Sequence, residues 1–84
     1  MPRHYFLYID DIMVYLFSVS ISYRDFLNYY QGYVDKVEVK ETGGKILWIH
    51  ARHFRPFLTP SGLSGHFRLE LDGNGNFYSL TRTS

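Results

Sequence analysis

Cysteine is absent from this 84-residue chain. Its absence excludes disulfide bonds, metal sites built from thiolates and cysteine nucleophiles. A chain this short has room for one domain, which buries only roughly 60–65% of the surface that its unfolded form exposes. The core must therefore be stabilised by close packing or by contact with another chain. A protein without cysteine is also compatible with the reducing cytoplasm, where we expect it to function.

A continuous apolar run long enough to cross a membrane is also missing. The N-terminal segment reads MPRHYFLYIDDIMVYLFSVSIS, and Asp10 and Asp11 interrupt its apolar residues. A membrane-spanning helix needs about 20 predominantly apolar residues. A signal peptide needs an uninterrupted apolar stretch before a cleavage site of small residues. We therefore predict a cytoplasmic protein that makes no contact with a membrane.

Acidic residues are absent between Glu41 and Glu70, so charge is distributed unevenly along the chain. Residues 1–41 carry six acidic and four basic side chains, whereas residues 42–84 carry two acidic and five basic ones. The formal net charge of the whole chain is only +1. Nucleic-acid-binding domains usually carry a much stronger positive charge. The basic second half leaves open a weak site for nucleic acid or an anionic ligand.

Aromatic residues, by contrast, are abundant. Seven Phe, eight Tyr and one Trp make up 19% of the chain. Each buries a large area, so aromatics are one means by which a short chain builds a core. A small interior has no room for all of them, and aromatic residues are enriched in protein interfaces. We therefore expect the protein to form a homo-oligomer.

The first two elements are predicted by their residue periodicity. From Met13 to Ile21 every odd position is apolar or aromatic, which predicts a strand with one buried face. Ser22 and Asp25 then occupy the positions of a helix N-cap and capping box. The helix that follows is too short to be stable alone in water, so it must pack on a sheet. Gly32 is placed to end the helix in the left-handed conformation.

Two hairpins are predicted after the helix. Residues 33–40 and 45–50 flank the turn signal Gly43-Gly44 and are predicted to pair antiparallel. A loop, LTPSGLSG, then leads to the strand HFRLELD, the turn GNGN and the strand FYSLTR. The spacing between Phe77 and Leu80 indicates a β-bulge. These elements predict an α+β domain in which one short helix packs on a curved antiparallel sheet of about five strands, with a partly closed small barrel as the alternative.

Four segments, in this order, resemble a family of short bacterial proteins of unknown function. They read FSVSIS, FLNYYQG, RPFLTPSGLSGHFRLELD and NFYSLTR. The family is the domain of unknown function numbered 2835, and the resemblance runs from Tyr15 to Arg82. It implies a bacterial protein and assigns no activity. His50 stands where the family pattern tends to have proline, so the resemblance does not predict the turn geometry there.

The resemblance also divides the chain. Residues 1–14 lie outside it, and we expect them to be an N-terminal extension of a single domain over residues 15–84. Members of the family begin a few residues before the first strand. This pattern suggests Met13 as the natural start.

Metal binding and catalysis depend on histidines and a glycine-rich turn. His50 and His53 have i, i+3 spacing, but a zinc site would need a third ligand, from His66 or Asp72. The segment DGNGN resembles the start of a calcium loop, yet no acidic residue follows Asp72. A nucleophile elbow and a phosphate-binding glycine loop are both absent. We therefore predict no metal, no cofactor and no enzymatic activity.

The basic and aromatic residues from Lys45 to Arg68 support a binding hypothesis. Arg52, Arg55 and Arg68 are the candidates for contact with phosphate groups. Trp48 or Phe54 would stack on bases, as aromatic side chains do in proteins that bind single-stranded nucleic acids.

A structural interpretation of the same stretch is favoured. Pro56 would fix a corner of the backbone and end the preceding helical turn by Arg55. Phe57 would anchor the corner in the core, and Arg55 would bond to loop carbonyls or to the carboxylate of Asp25 or Asp35.

Tyrosines crowd the helix and its end. Tyr30 is predicted to pack inward with Phe26, which is four residues earlier on the same face. Tyr23, Tyr29 and Tyr33 are the interface candidates, since Tyr29 and Tyr33 share a second stripe. We therefore expect a non-enzymatic binding or interaction module that self-associates, with an unknown protein partner left open. The alternative is a weak binder of nucleic acid or anionic ligands through the basic face of residues 45–68.

Overall fold

The computed structural model describes residues 12–32 and 34–84. These residues form β1 (Met13–Ile21), α1 (Tyr23–Gln31), β2 (Lys36–Lys40), β3 (Ile46–His50), two 3-10 helices (Ala51–His53 and Arg55–Phe57), β4 (Leu63–Leu71) and β5 (Phe77–Arg82). No helix in the described part of the chain is long and apolar enough to cross a membrane. The predictions for residues 1–11 and for Tyr33 lie outside the described residues.

The strands divide into two open antiparallel sheets, ordered β1-β4-β5 and β2-β3. The α+β class and both predicted hairpins are confirmed. The predictions of a single five-stranded sheet and of a barrel were wrong. β1 pairs along its whole length with β4, from Met13 opposite Leu71 to Ile21 opposite Leu63, and β2 and β3 form a separate open sheet. β2 meets β1 at the hairpin turn, where the backbone N–H of Thr42 donates to the carbonyl of Leu16 at 2.7 Å.

The core lies between the two sheets and is centred on three phenylalanines. The rings of Phe17 and Phe67 are stacked with their centroids 5.8 Å apart, and Phe54 meets Phe67 edge-on at 5.6 Å. Phe54 is fully buried, so it has no free face on which a base could stack. The other buried core residues are Val19, Phe26, Val37, Val39, Leu47, Ile49, Ala51, Leu63 and Leu69.

The helix begins as predicted. The hydroxyl of Ser22 accepts a hydrogen bond from the backbone N–H of Asp25 at 3.1 Å, and Phe26 faces the core. Two details differ. Tyr29, three residues after Phe26, packs against the core, whereas Tyr30 is exposed and stacks on Phe26 from outside. Gly32 ends the helix with φ of −90°, in the extended region, so the left-handed prediction was wrong.

The corner around Pro56 also differs from the prediction. A second 3-10 helix runs through Arg55–Phe57, because proline is tolerated at the first positions of a helix, where no N–H partner is needed. Phe57 is half-buried and packs against the core, as predicted. The Arg55 guanidinium donates to the hydroxyl of Tyr30 at 2.6 Å and lies 5.2 Å from the centre of its ring. The predicted carboxylate partners of Arg55 were therefore wrong.

The predicted loop before β4 is shorter than expected, because β4 already begins at Leu63. Gly62 has φ of +119°, and a Cβ atom there would collide with the carbonyl oxygen of Ile21 and the backbone nitrogen of Tyr23. Only glycine allows this close approach of two backbones. This close contact at Gly62 holds the start of β4 against the junction of β1 and α1. At the far end of β4, the predicted bulge is confirmed by a register shift between Glu70 and Leu71.

Candidate functional site

The edge of β3 that faces away from β2 is unpaired within residues 12–32 and 34–84. The β2–β3 ladder includes bonds from the N–H of Ala51 to the Asp35 carbonyl (2.8 Å) and from the N–H of Glu41 to the Lys45 carbonyl (2.9 Å). Hydrogen-bonded pairs alternate along an antiparallel ladder. The N–H and C=O groups of Ile46, Trp48 and His50 therefore point away from β2.

A groove of about 400 Å³ separates this edge from the β4–β5 hairpin. Its apolar lining residues are Ile46, Leu47, Trp48, Ile49, Leu69, Leu71 and Phe77. Since β2 meets β1 at the hairpin turn, the strands follow the order β3-β2-β1-β4-β5 across the two sheets. β3 and β5 are therefore the two outer strands, and the gap lies between them. We name this feature the β3–β5 groove.

Three large apolar side chains remain exposed in the groove. Trp48 is 60% exposed, Ile46 44% and Phe77 41%. A group of exposed apolar residues around a groove is typical of an interaction surface, whereas scattered single ones are normal. Trp48 and Ile46 alternate with the buried residues Leu47 and Ile49, so both faces of β3 are apolar.

Polar side chains line one part of the groove, and they come from Lys36, His50 and His53. His50 Nε2 lies 3.2 Å from the carboxylate of Asp35, and its Nδ1 accepts the backbone N–H of Arg52 at 3.1 Å. Because Nδ1 acts as an acceptor, the ring proton is on Nε2 and points to Asp35. Both nitrogens of His50 are thus engaged, which leaves neither free to hold a metal ion.

His53 closes the groove on the side of β5. Its ring stacks on that of Phe77 with centroids 3.6 Å apart and planes 2° apart. Burial lowers the pKa of His53 below its usual value, and electrostatic interactions with Arg52 and His50 lower it further. The neutral ring is therefore favoured, and it packs as an aromatic side chain.

The other histidine lies elsewhere. His66 stands opposite Ser18 on β1, on the face of the sheet opposite that of its buried neighbour Phe67. Asp72 is also engaged, since its carboxylate accepts backbone N–H groups from Asn74 and Asn76, which lowers its pKa. Within the described residues, no three histidine or acidic side chains converge as metal ligands would.

The predicted anion-binding residues are dispersed. Arg68 and Glu70 lie on the face of β4 opposite the buried Phe67 and are 3.4 Å apart. The two 3-10 helices pack on the other face, so Arg68 does not converge with Arg52 and Arg55. Arg55 is bonded to the hydroxyl of Tyr30 on α1, as described above.

The predicted tyrosine interface is also divided. Tyr23 is exposed on the first turn of α1, whereas Tyr29 is half-buried against the core. Trp48 was identified from the sequence, but as a residue that stacks on bases. Ile46 and Phe77 were missed. A signal was present: the segment ILWI has apolar residues at four successive positions, so both faces of that strand are apolar.

The described residues form a small α+β domain with two open antiparallel sheets and an apolar groove between them. The model of the family described as "Protein of unknown function (DUF2835)" matches residues 13–83, and the chain belongs to that family. The comparison thus confirms the family expected from the sequence. No curated protein and no solved structure matches the chain.

Proposed function

We propose that this protein is a non-enzymatic interaction module of the bacterial cytoplasm that self-associates through the free edge of β3. The observation that carries the proposal is the backbone pattern of β3. Ile46, Trp48 and His50 present N–H and C=O groups that are unpaired among residues 12–32 and 34–84, beside exposed apolar side chains. Such an edge is a template for pairing with another strand.

The composition of β3 supports this proposal. Proteins usually prevent pairing at a free strand edge with charged side chains or proline. Residues Ile46 to Ile49 include neither. The neighbouring strand β2, by contrast, carries Lys36, Glu38 and Lys40 on its exposed face. The central residues of β3 therefore lack these two protections.

A second copy of the chain fits the edge because the pattern is self-complementary. In antiparallel pairing about Trp48, the N–H and C=O of Trp48 face those of Trp48 of the partner subunit. Ile46 then faces His50 of the partner subunit, and the same contact recurs across the two-fold axis. With no charged side chain at the centre of β3, the two strands meet without repulsion between like charges.

The arrangement of arginines gives less support to the alternative function. A protein that binds nucleic acid concentrates positive charge on one surface. Arg68 lies near Glu70, and Arg55 is bonded to Tyr30. A gel-shift titration with single-stranded RNA measures this alternative, since such binding must weaken steeply as salt rises.

Light scattering over a concentration series tests self-association. We expect the mass of the wild type to rise toward that of a dimer and the Ile46→Lys variant to remain a monomer. Val14→Lys is the matched control, because Val14 is also 44% exposed on a strand but lies on the outer face of β1. A wild type that stays monomeric at millimolar concentration would contradict the proposal.

A further inference from the structure

The β3–β5 groove lies beside the backbone N–H and C=O groups of β3 that point away from β2. It lies between β3 on one side and, on the other, Leu71 of β4 with Phe77 at the start of β5, and its floor includes the buried side chains of Ile49 and Leu69. Every second side chain of an extended segment points to the same face. Alternate side chains of such a segment would therefore contact this apolar floor.

The backbone of β3 supplies the matching hydrogen bonds. Ile46, Trp48 and His50 present N–H and C=O groups at intervals of two residues, which is the spacing that an added antiparallel or parallel strand requires. Strand addition obtains its affinity from these main-chain bonds, and its specificity comes from the pockets for alternate side chains. Phe77 and Trp48 flank the position where those side chains would enter.

Charge gives the groove a further preference. Lys36, His50 and His53 are the polar side chains of the lining. His50 is paired with the Asp35 carboxylate and the neutral ring of His53 is favoured, so Lys36 is the lining residue that attracts an anion. Within the described residues, no carboxylate forms an ion pair with Lys36. An acidic group on the bound segment would complement this lysine, whereas a basic group would be repelled.

We propose that the groove binds an extended apolar segment of another protein that carries one Asp or Glu side chain after its apolar positions. The segment adds to β3 as a parallel strand, so its C-terminal end lies beside His50, the residue opposite Lys36, and its carboxylate pairs with Lys36. This inference rests on the proposed function, since it uses the same edge of β3. The bound segment and a second copy of the chain consequently compete, and self-association masks the groove.

Fluorescence of Trp48, the only tryptophan in the chain, reports binding directly. The probe is a heptapeptide with blocked termini in which Val alternates with Thr before a final Glu. The control peptide is identical except that it ends in Gln. Titrations use the full chain at a dilution where light scattering gives a monomer. We expect a blue shift of the emission and a dissociation constant roughly two- to fivefold lower for the Glu peptide, the range of an exposed ion pair.

Two variants locate the contact. Lys36→Gln is expected to abolish the difference between the two peptides without preventing the binding of either. Lys40→Gln, which changes an exposed lysine of β2 outside the groove lining, is expected to preserve the difference. Failure of both peptides to bind, or equal affinity of the wild type for both, overturns the inference.

The outcomes separate this inference from the proposed function. A protein that is monomeric at every concentration and binds the Glu peptide refutes self-association and supports the inference. A dimer that neither dissociates nor changes its Trp48 emission at saturating peptide refutes the inference and leaves self-association supported.

Discussion

The imidazole of His53 lies flat on the phenyl ring of Phe77, with ring centroids 3.6 Å apart. This contact joins the first 3-10 helix, which follows β3, to the first residue of β5. It therefore connects the two sheets across the β3–β5 groove.

The first prediction concerns the energy of this stack. We expect a coupling of about 1 kcal/mol in the free energy of unfolding between His53→Leu and Phe77→Leu, the usual size for an aromatic pair. Urea denaturation of the two single variants and the double variant measures it. The control pairs His53→Leu with Tyr78→Leu, which replaces the adjacent, 63% exposed ring, and its effects should be additive. Additive effects of the two changes would mean that the stack does not couple the sheets.

The second prediction concerns acid. The pKa of His53 is lowered from 6.5, chiefly by burial, so the folded state keeps the ring neutral at pH values where the unfolded state takes up a proton. Stability should be full above pH 6.5 and fall as the pH drops below it. His53→Gln should lose less stability than the wild type between pH 7 and 5, measured by thermal melting. His66→Gln, on the outer face of β4, should follow the wild type.

The third prediction concerns the hairpin turns. Backbone N–H groups of Gly43 and Lys45 lower the pKa of Glu41 from 4.5, and those of Asn76 and Asn74 lower that of Asp72 from 3.8. Both carboxylates stabilise the fold when ionised, so this contribution is present above these values and disappears as the pH falls further.

Glu41→Gln and Asp72→Asn should therefore flatten the decline of the melting temperature between about pH 5 and pH 3. Glu38→Gln is the control, because no hydrogen bond to its exposed carboxylate occurs within the described residues. An unchanged slope in both turn variants would exclude a stabilising role for these carboxylates.

The fourth prediction concerns the contact between α1 and the second 3-10 helix. Tyr30→Phe keeps the ring that stacks on Phe26 but removes the hydroxyl that accepts from Arg55. We expect a loss of about 0.5–1.5 kcal/mol in the free energy of unfolding. Tyr23→Phe removes an exposed hydroxyl from the same helix and should cost nothing measurable. Equal effects of the two changes would show that the Arg55 bond contributes little.

The fifth prediction concerns backbone crowding. Gly44 and Gly62 both have positive φ, of 101° and 119°, but only Gly62 lies against another backbone segment. Gly44→Ala should cost about 1–2 kcal/mol, the penalty for a left-handed conformation. Gly62→Ala should cost clearly more and leave much of the chain unfolded in circular dichroism at room temperature. Similar losses at both positions would contradict the close approach to Ile21.

Elements defined by neighbouring residues were predictable from the sequence. Ser22 caps the helix because its side chain reaches an N–H three residues away. The hairpin turns followed from their glycines, and Gly44 and Gly75 both adopt positive φ. The bulge in β5 was visible in the spacing of Phe77 and Leu80.

The division into two sheets was not predictable in this way. It follows from the pairing of β1 with β4, in which Ile21 lies opposite Leu63 and no local pattern links the two residues. The candidate site depends on the same pairing of β1 with β4. Trp48 could be identified from the sequence, but the edge beside it is unpaired within the described part of the chain because β4 pairs with β1 and β5 rather than with β3.

The pairing of β1 with β4 also has a consequence for synthesis of the chain. Ile21 leaves the ribosome 42 residues before Leu63, the start of the strand on which it rests. At about 5–20 residues per second, β1 waits roughly two to eight seconds for its partner strand. During that interval the phenylalanine and valine side chains of β1 lack the cover of β4, and transiently exposed apolar surface of this kind favours aggregation.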